Sequence, residues 1–270
     1  MNNQDTSYFQ NSCIVLTGAT SGIGKAMVDI LISIPDTELI LIGRDKGRCQ
    51  QLEYETKDVH ISKIKVICEN LNNPKSTENI RKQIPDSEKR LILINNAGVG
   101  MYGEFFNVDA EVLHEILAVN INALVMLTHS VIPTIIKNGG GVLNISSVAS
   151  FAPCPGIGVY GASKTFVTAF SEAIRAEFRE YGINVVCYHP AGTVSNWFKR
   201  ATGGVVKTPP VQQVRAETVA LEALSSLARN QTNPINGLFN VFASQILGIM
   251  PRDLAAKLVY RRTKKVLLQI

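Results

Sequence analysis

The sequence predicts an α/β domain: an open parallel sheet whose strands alternate with helices. Three observations carry that expectation. Seven short apolar runs are separated by stretches of helical periodicity. The first run passes directly into a glycine-rich turn, Gly18-Ala-Thr-Ser-Gly22-Ile-Gly24, and then into a helical pattern. Finally, 46% of the 270 residues are apolar, which suits one large domain over residues 1–250 with an extension at 251–270.

Twelve polar lead-in residues precede the first strand, Cys13–Thr17. After the glycine turn, Met27, Ile30, Leu31 and Ile34 share one helical face, and Pro35 ends the helix. Between a strand and a helix, such glycines allow a tight turn and close approach of backbone to a pyrophosphate at the helix N-terminus. A plain packing turn is the competing reading. The second strand, Glu38–Gly43, ends in Arg44-Asp45. An acidic side chain here suits the ribose hydroxyls of NAD, and an arginine suits the 2′-phosphate of NADP. Arg44 favours NADP; Asp45 keeps NAD open or caps the next helix.

The third strand, Ile64–Cys68, leads to Asn70 and Leu71, and a helix is expected over 74–84. Strand four, Leu91–Ile94, opens into Asn95-Asn96-Ala97-Gly98, which fits a ligand site or a simple turn. A long helix over 110–133 sets Ile116, Val119, Ala123 and Leu127 on one face, with Asn120 and Asn122 interrupting its centre. A mid-helix Asn either faces solvent or has a specific partner. Strand five, Gly141–Ile145, delivers Ser146 and Ser147 at its C-terminal end, where ligands meet an open parallel sheet. A helix from Tyr160 to about Tyr181 follows, then strand six, Asn184–Tyr188, ending at His189-Pro190. Residues 193–214 contain no expected strand, and so long a loop suggests a lid anchored by Trp197 and Phe198. A helix over 216–229 and a seventh strand, 237–242, close the domain.

Chemistry concentrates in Ser147, Tyr160 and Lys164. Tyr160 and Lys164 are one helical turn apart on the same face. A free phenol, with a pKa of about 10, is a poor acid–base group near neutrality. A nearby ammonium favours the phenolate and so lowers that pKa, as proton transfer to a carbonyl or alkoxide requires. Alone, the pair reads as surface helix decoration. The strand that presents Ser147 and the dinucleotide-type turn give it a setting.

Charge excludes other classes. Residues 251–270 hold six basic side chains against Asp253 alone, leaving 21 of each sign in 1–250. A basic tail on a neutral body is not the spread of Lys and Arg that reads nucleic acid. The five cysteines form no C-x-x-C pair, so no disulfide framework or zinc site is expected, and a reducing, cytoplasmic compartment fits. The N-terminus lacks a signal-peptide pattern, and no uninterrupted apolar run reaches the roughly 18 residues of a membrane span.

Over about residues 12–242 these motifs resemble the short-chain dehydrogenase/reductase family. Thr17-Gly18-Ala19-Thr20-Ser21-Gly22-Ile23-Gly24 matches its T-G-x-x-x-G-x-G loop, and Asn95-Asn96-Ala97-Gly98 its N-N-A-G. Asn120, Ser147, Tyr160 and Lys164 match its Asn-Ser-Tyr-Lys tetrad. The resemblance implies a Rossmann-type doubly wound sheet of seven parallel strands flanked by helices. It implies NADP binding by Gly18, Thr20–Gly24, Arg44, Asn70, Leu71, Asn96–Gly98, Tyr160, Lys164, Pro190 and Thr193. It casts Tyr160 as general acid in reduction and Lys164 as the cation that lowers its pKa and holds the nicotinamide ribose. Ser147 would position the substrate oxygen, and Asn120 would hold a water of the proton relay.

The pattern departs from the family at Asn70, where Asp is frequent, at Pro190-Ala191-Gly192, which replaces Pro-Gly, and at Ser195, near a frequent Thr. The expected activity is reduction of a ketone or aldehyde on an apolar substrate, with Trp197, Phe198 and Val205-Val206 hinting at the pocket. A cofactor-binding regulator without turnover, or an NAD-dependent alcohol or sugar dehydrogenase, is the alternative. Homodimers or homotetramers are common in the family. For the tail, a helix starting at Pro251 has two readings. It docks on the body or a partner subunit, or it rests as a basic amphipathic element on anionic lipid.

Overall fold

The computed structural model describes residues 1–59, 62–206 and 213–270. Its chain begins with a helix, α1 (Asn3–Phe9), where a polar lead-in was expected. Phe9 is fully buried, and Asn2 caps the helix by accepting the Asp5 N–H at 2.8 Å. The buried Asp5 carboxylate takes two hydrogen bonds from the Arg229 guanidinium, at 2.9 and 2.8 Å.

Alternation then runs as β1 (Ser12–Thr17), α2 (Gly22–Leu31), β2 (Thr37–Gly43), α3 (Lys46–Thr56), β3 (Ser62–Cys68), α4 (Ser76–Arg81) and β4 (Arg90–Asn95). The second half is α5 (Ala110–Leu117), a π-helical turn (Ala118–Ala123), α6 (Leu124–Asn138), β5 (Gly140–Ile145), α7 (Gly158–Phe178) and β6 (Asn184–Tyr188). Four more helices follow: α8 (Trp197–Ala201), α9 (Ala216–Ala228), α10 (Leu238–Ile249) and α11 (Arg252–Leu267). The strands form one parallel sheet in the order β3-β2-β1-β4-β5-β6. The order reverses between β1 and β4, opening a crevice at the strands' C-terminal ends.

Helices cover both faces, so the central strands read as continuous apolar runs. Ile14, Leu16, Ile92 and Ile94 pack on the side of α2 and α9, and Cys13, Val15, Leu91 and Leu93 on the side of α6 and α7. By length and composition the continuous helix Ala110–Asn138 is apolar enough to cross a membrane. Ile116, Leu127, Val131 and Ile135 are instead buried against the body. The sequence had hidden this length behind Pro133, which sits inside α6.

Among the described residues six strands form where seven were expected. Residues 237–242, read as a strand, are the start of α10. An apolar run this short fits either period. The edge of β6 is met by residues 234–236: His189 and Ile235 form an isolated parallel bridge, flanked by His189 N–H to the Pro234 carbonyl at 2.9 Å. Gly237, with φ of +81°, then redirects the chain into the helix.

Candidate active site

The crevice begins at the glycine turn. Gly18 and Gly22 have φ of +69° and +54°, a left-handed conformation that a side chain would strain. A Cβ at Gly24 would lie 2.1 Å from the Gly18 carbonyl oxygen. Gly24 therefore does not line the crevice, as expected of it; it lets α2 start directly beneath the turn. Asn96 locks the turn to β4, donating to the carbonyls of Thr17 (2.9 Å) and Gly18 (3.2 Å), while the Thr17 hydroxyl accepts both Asn96 and Ala97 N–H at 3.0 Å. Asn95 points the other way, into the core, donating to Thr128 and Asn144 at 3.0 and 2.8 Å.

Thr20–Ile23, Arg44, Asn70, Leu71, Asn96–Gly98, Pro190 and Thr193 line one cleft of about 500 Å³ with Gly18, Ser147, Tyr160 and Lys164. The residues present fit a dinucleotide: a backbone cradle, cations at the far end of β2 and polar groups at the end of β5. Asp45 caps α3 by accepting the Arg48 N–H at 2.9 Å. Arg44 pairs with Glu115. Arg48, one turn beyond Arg44, and Arg200 of α8 join it at the cleft wall. Burial lowers the Arg200 pKa, and the positive charges of Arg44 and Arg48 lower it further, so the three cations share one region. The i+4 spacing of Arg48 was legible; nothing marked Arg200.

At the other end, the two serines part. Ser146 turns its hydroxyl inward, donating to the Lys164 carbonyl at 2.9 Å. Ser147, extended at the end of β5, keeps its hydroxyl in the cleft, where it accepts the Ala149 N–H at 3.1 Å and lies close enough to Tyr160 to favour the phenolate. Lys164 is buried and donates to the Ile145 carbonyl at 2.8 Å, with its Nζ 5.9 Å from the centre of the Tyr160 ring.

The spacing of Tyr160 and Lys164 implied a phenol made more acidic by its cation. In the structure burial dominates instead. It pushes Tyr160 up to about 12, against the lowering hydrogen bond from Ser147. It pushes Lys164 down to about 8, because the ammonium loses water and gains no carboxylate partner. Burial thus shifts both groups toward their neutral forms.

Asn120 lies in the π turn, fully engaged and outside the cleft wall. Its Oδ1 accepts the Val99 N–H at 2.9 Å, and its Nδ2 donates to the Val99 carbonyl (2.9 Å) and to Ser163 (3.0 Å). Gly98 bridges the two polar groups: a Cβ there would lie 3.5 Å from Lys164 Nζ and 3.6 Å from Asn120 Oδ1.

The substrate end is walled by aromatic rings. Trp197 stands 4.9 Å from Tyr160 and 6.3 Å from Tyr102, and Tyr102 packs on Phe198 at 5.5 Å, all between ring centres. Val206 is buried behind this cluster and Val205 is exposed, so neither lines the cleft. Helix α11 closes the roof: Val266 packs in the Tyr102–Phe198 cluster, and Val259 and Thr263 line the cleft. The tail helix docks on the body by one face and leaves its basic side chains exposed. Leu254 and Leu258 are exposed, and the face that docks carries Ala255, Thr263 and Val266.

Comparison with known proteins agrees with this geometry. The short chain dehydrogenase family profile matches residues 12–203. Sulfoacetaldehyde reductase 2 of Chromohalobacter salexigens is 33% identical over 71% of this chain and 76% of its own length. The very-long-chain 3-oxoacyl-CoA reductase of Anas platyrhynchos is 30% identical over 93% of this chain and 80% of its own. A short-chain dehydrogenase from Sphingobium yanoikuyae, solved in complex with NADPH, superposes with a TM-score of 0.77 at 28% identity, over 89% of this chain and 96% of that one. With its glycine turn, its Ser147–Tyr160–Lys164 cluster and this extent of likeness, the chain belongs to the short-chain dehydrogenase/reductase family of oxidoreductases.

Proposed function

We propose that this chain is an NADP(H)-dependent carbonyl reductase, acting on a ketone or aldehyde with an apolar body and reversible as an alcohol dehydrogenase. One observation carries the reading: Ser147 and Tyr160 line one cleft beside the apolar wall formed by Trp197, and the same cleft is lined by Arg44, Arg48 and Arg200. The cations favour the 2′-phosphate of NADP over the bare ribose of NAD. Two relatives are named as reductases of carbonyl compounds, and the Sphingobium structure contains NADPH.

A bound nicotinamide supplies the hydride. The chain's own groups do the rest. Ser147 and Tyr160 donate to the substrate oxygen and hold its carbon in place. Tyr160, neutral throughout the physiological range, gives that oxygen its proton as the carbon is reduced. Lys164 stands behind the phenol to stabilise the phenolate left behind and return a proton. Asn120 acts as a positioning residue, fixing Val99 and hence the Gly98 backbone beside Lys164. Assembly as a homo-oligomer fits the exposed Leu117, Met126 and Phe166 on the long helices.

Purified protein should consume NADPH with a panel of apolar ketones and aldehydes. Tyr160→Phe should lower kcat about 10²- to 10⁴-fold with NADPH binding retained. Turnover by Tyr160→Phe at the parent rate overturns the mechanism, and NADPH binding without any turnover favours a regulatory role.

A further inference from the structure

Helix α10 turns a coherent apolar face outward. Leu238, Phe239, Phe242, Ile246 and Ile249 fall at the i, i+1, i+4, i+8 and i+11 positions of a single helical stripe. They are 90%, 72%, 63%, 38% and 88% exposed. Gln245 alone among the side chains of that stripe is polar. Scattered exposed apolar residues are ordinary on a soluble surface, but a contiguous patch of large ones marks an interaction site.

Pro251 links this face to α11, where Arg252, Lys257, Arg261, Arg262, Lys264 and Lys265 are all exposed. Asp253, the acidic residue among them, is already paired with Lys257 at 2.6 Å. Since residues 1–250 carry equal numbers of each sign, the chain's whole excess of positive charge follows directly on the apolar stripe in sequence.

We propose that α10 and α11 form a docking surface for an anionic phospholipid bilayer, with the apolar stripe of α10 at the level of the headgroups. Apolar side chains next to a cluster of Lys and Arg complement both layers of such an interface. A second copy fits less well, because a two-fold contact would bring two like-charged tails together. On the side of α10 opposite the stripe, Leu247 lines the cleft with Val259 and Thr263 of α11. The docking helix thus also walls the substrate end, so an apolar substrate could enter from the lipid side. That last step rests on the reductase reading; the docking does not.

Sedimentation of the full chain with vesicles tests the proposal without relying on turnover. One vesicle set is phosphatidylcholine and the other phosphatidylcholine with phosphatidylserine. The chain should pellet with the anionic set. The double variant Phe239→Ser/Phe242→Ser should remain in the supernatant. Arg261→Gln/Lys265→Gln should bind anionic vesicles about 25-fold more weakly, or about fivefold per charge. Melting temperature and NADPH binding of each variant show that it is folded. Failure of the parent chain to pellet, or equal pelleting by the phenylalanine variant, overturns the proposal. So does an oligomer that the phenylalanine variant breaks while vesicle binding is unchanged, since the stripe would then serve a second copy.

Discussion

Gly100 and Trp197 share a space that a single methyl group would fill. A Cβ on Gly100 would lie 2.4 Å from Cζ2 of Trp197 and 2.8 Å from Cδ2 of Tyr160. The absence of a side chain there is what allows the Trp197 indole to rest on the ring of the proposed proton donor. Gly100 is outside the set of glycines with positive φ, so alanine costs no backbone strain and acts through the Trp197 and Tyr160 rings. Gly100→Ala should displace Trp197 and lower kcat/KM by about tenfold, the factor that 1.4 kcal/mol produces. Trp197 is the chain's one tryptophan, so its fluorescence reports the displacement directly. Unchanged emission together with unchanged kinetics would refute the contact's role.

The cationic end of the cleft makes a separate prediction about cofactor choice. Arg44 and Arg200 approach it from different elements, β2's end and helix α8. A charge-assisted hydrogen bond contributes about 1.5–3 kcal/mol. Arg44→Gln should therefore raise KM for NADPH by about 10- to 150-fold and leave KM for NADH nearly unchanged. Arg200→Gln should act in the same direction. Equal losses with both cofactors would show that the arginines serve the fold instead of the 2′-phosphate.

Opposite shifts at Tyr160 and Lys164 give a pH profile. Tyr160, at about 12, stays protonated and able to act as an acid over the whole working range. Lys164, at about 8, is an ammonium below that pH and neutral above it. If the ammonium stabilises the phenolate as it forms, kcat/KM for reduction should be flat below about pH 8 and fall up to tenfold per unit above it. Stability moves the other way: between about 8 and 10.5 the unfolded lysine holds a proton that the folded one has released, so stability rises with pH. A kcat/KM profile that stays level to pH 10 would remove Lys164 from the proton path.

Much of this site was legible because it sits where strands end. The glycine turn, Arg44, Asn96 and Ser147 each follow an apolar run, and a buried parallel strand is the plainest signal in a sequence. The choice of Ser147 over Ser146 came from the resemblance, through the family's spacing to Tyr160, and in the structure the Ser147 hydroxyl faces the cleft while that of Ser146 turns into the core. Asn120 was marked by its cost in mid-helix, but the π turn and the Val99 contact that account for it depend on tertiary packing. The roof was illegible. Residues 237–242 have no alternation to distinguish strand from helix, and the docked face of α11 is made of Ala255, Thr263 and Val266, side chains too small to stand out. Burial, a property of the whole fold, also reversed the expected shift at Tyr160.

His189, at the end of β6, makes the fold acid-sensitive. It is fully buried, with Nε2 3.1 Å from the Thr168 hydroxyl and 3.7 Å from Cys187 Sγ, Nδ1 3.4 Å from the Pro234 carbonyl, and Phe151 packed on its ring. Burial lowers its pKa from 6.5 to about 4, and the Lys164 charge adds to the lowering against the hydrogen bond to Pro234. Because the folded pKa is depressed, the unfolded chain binds a proton that the native one refuses between about 6.5 and 4. The stabilisation is complete above pH 6.5 and is lost as pH falls, by roughly 3 kcal/mol in all. Urea unfolding at pH 7 and pH 5 isolates the upper part of this window, before most carboxylates titrate. His189→Gln should be less stable at pH 7, having lost the ring packing, but should lose less between pH 7 and 5 than the parent. Parallel losses in the two proteins would mean that His189 is protonated in the native state and that its burial is not what limits stability in acid.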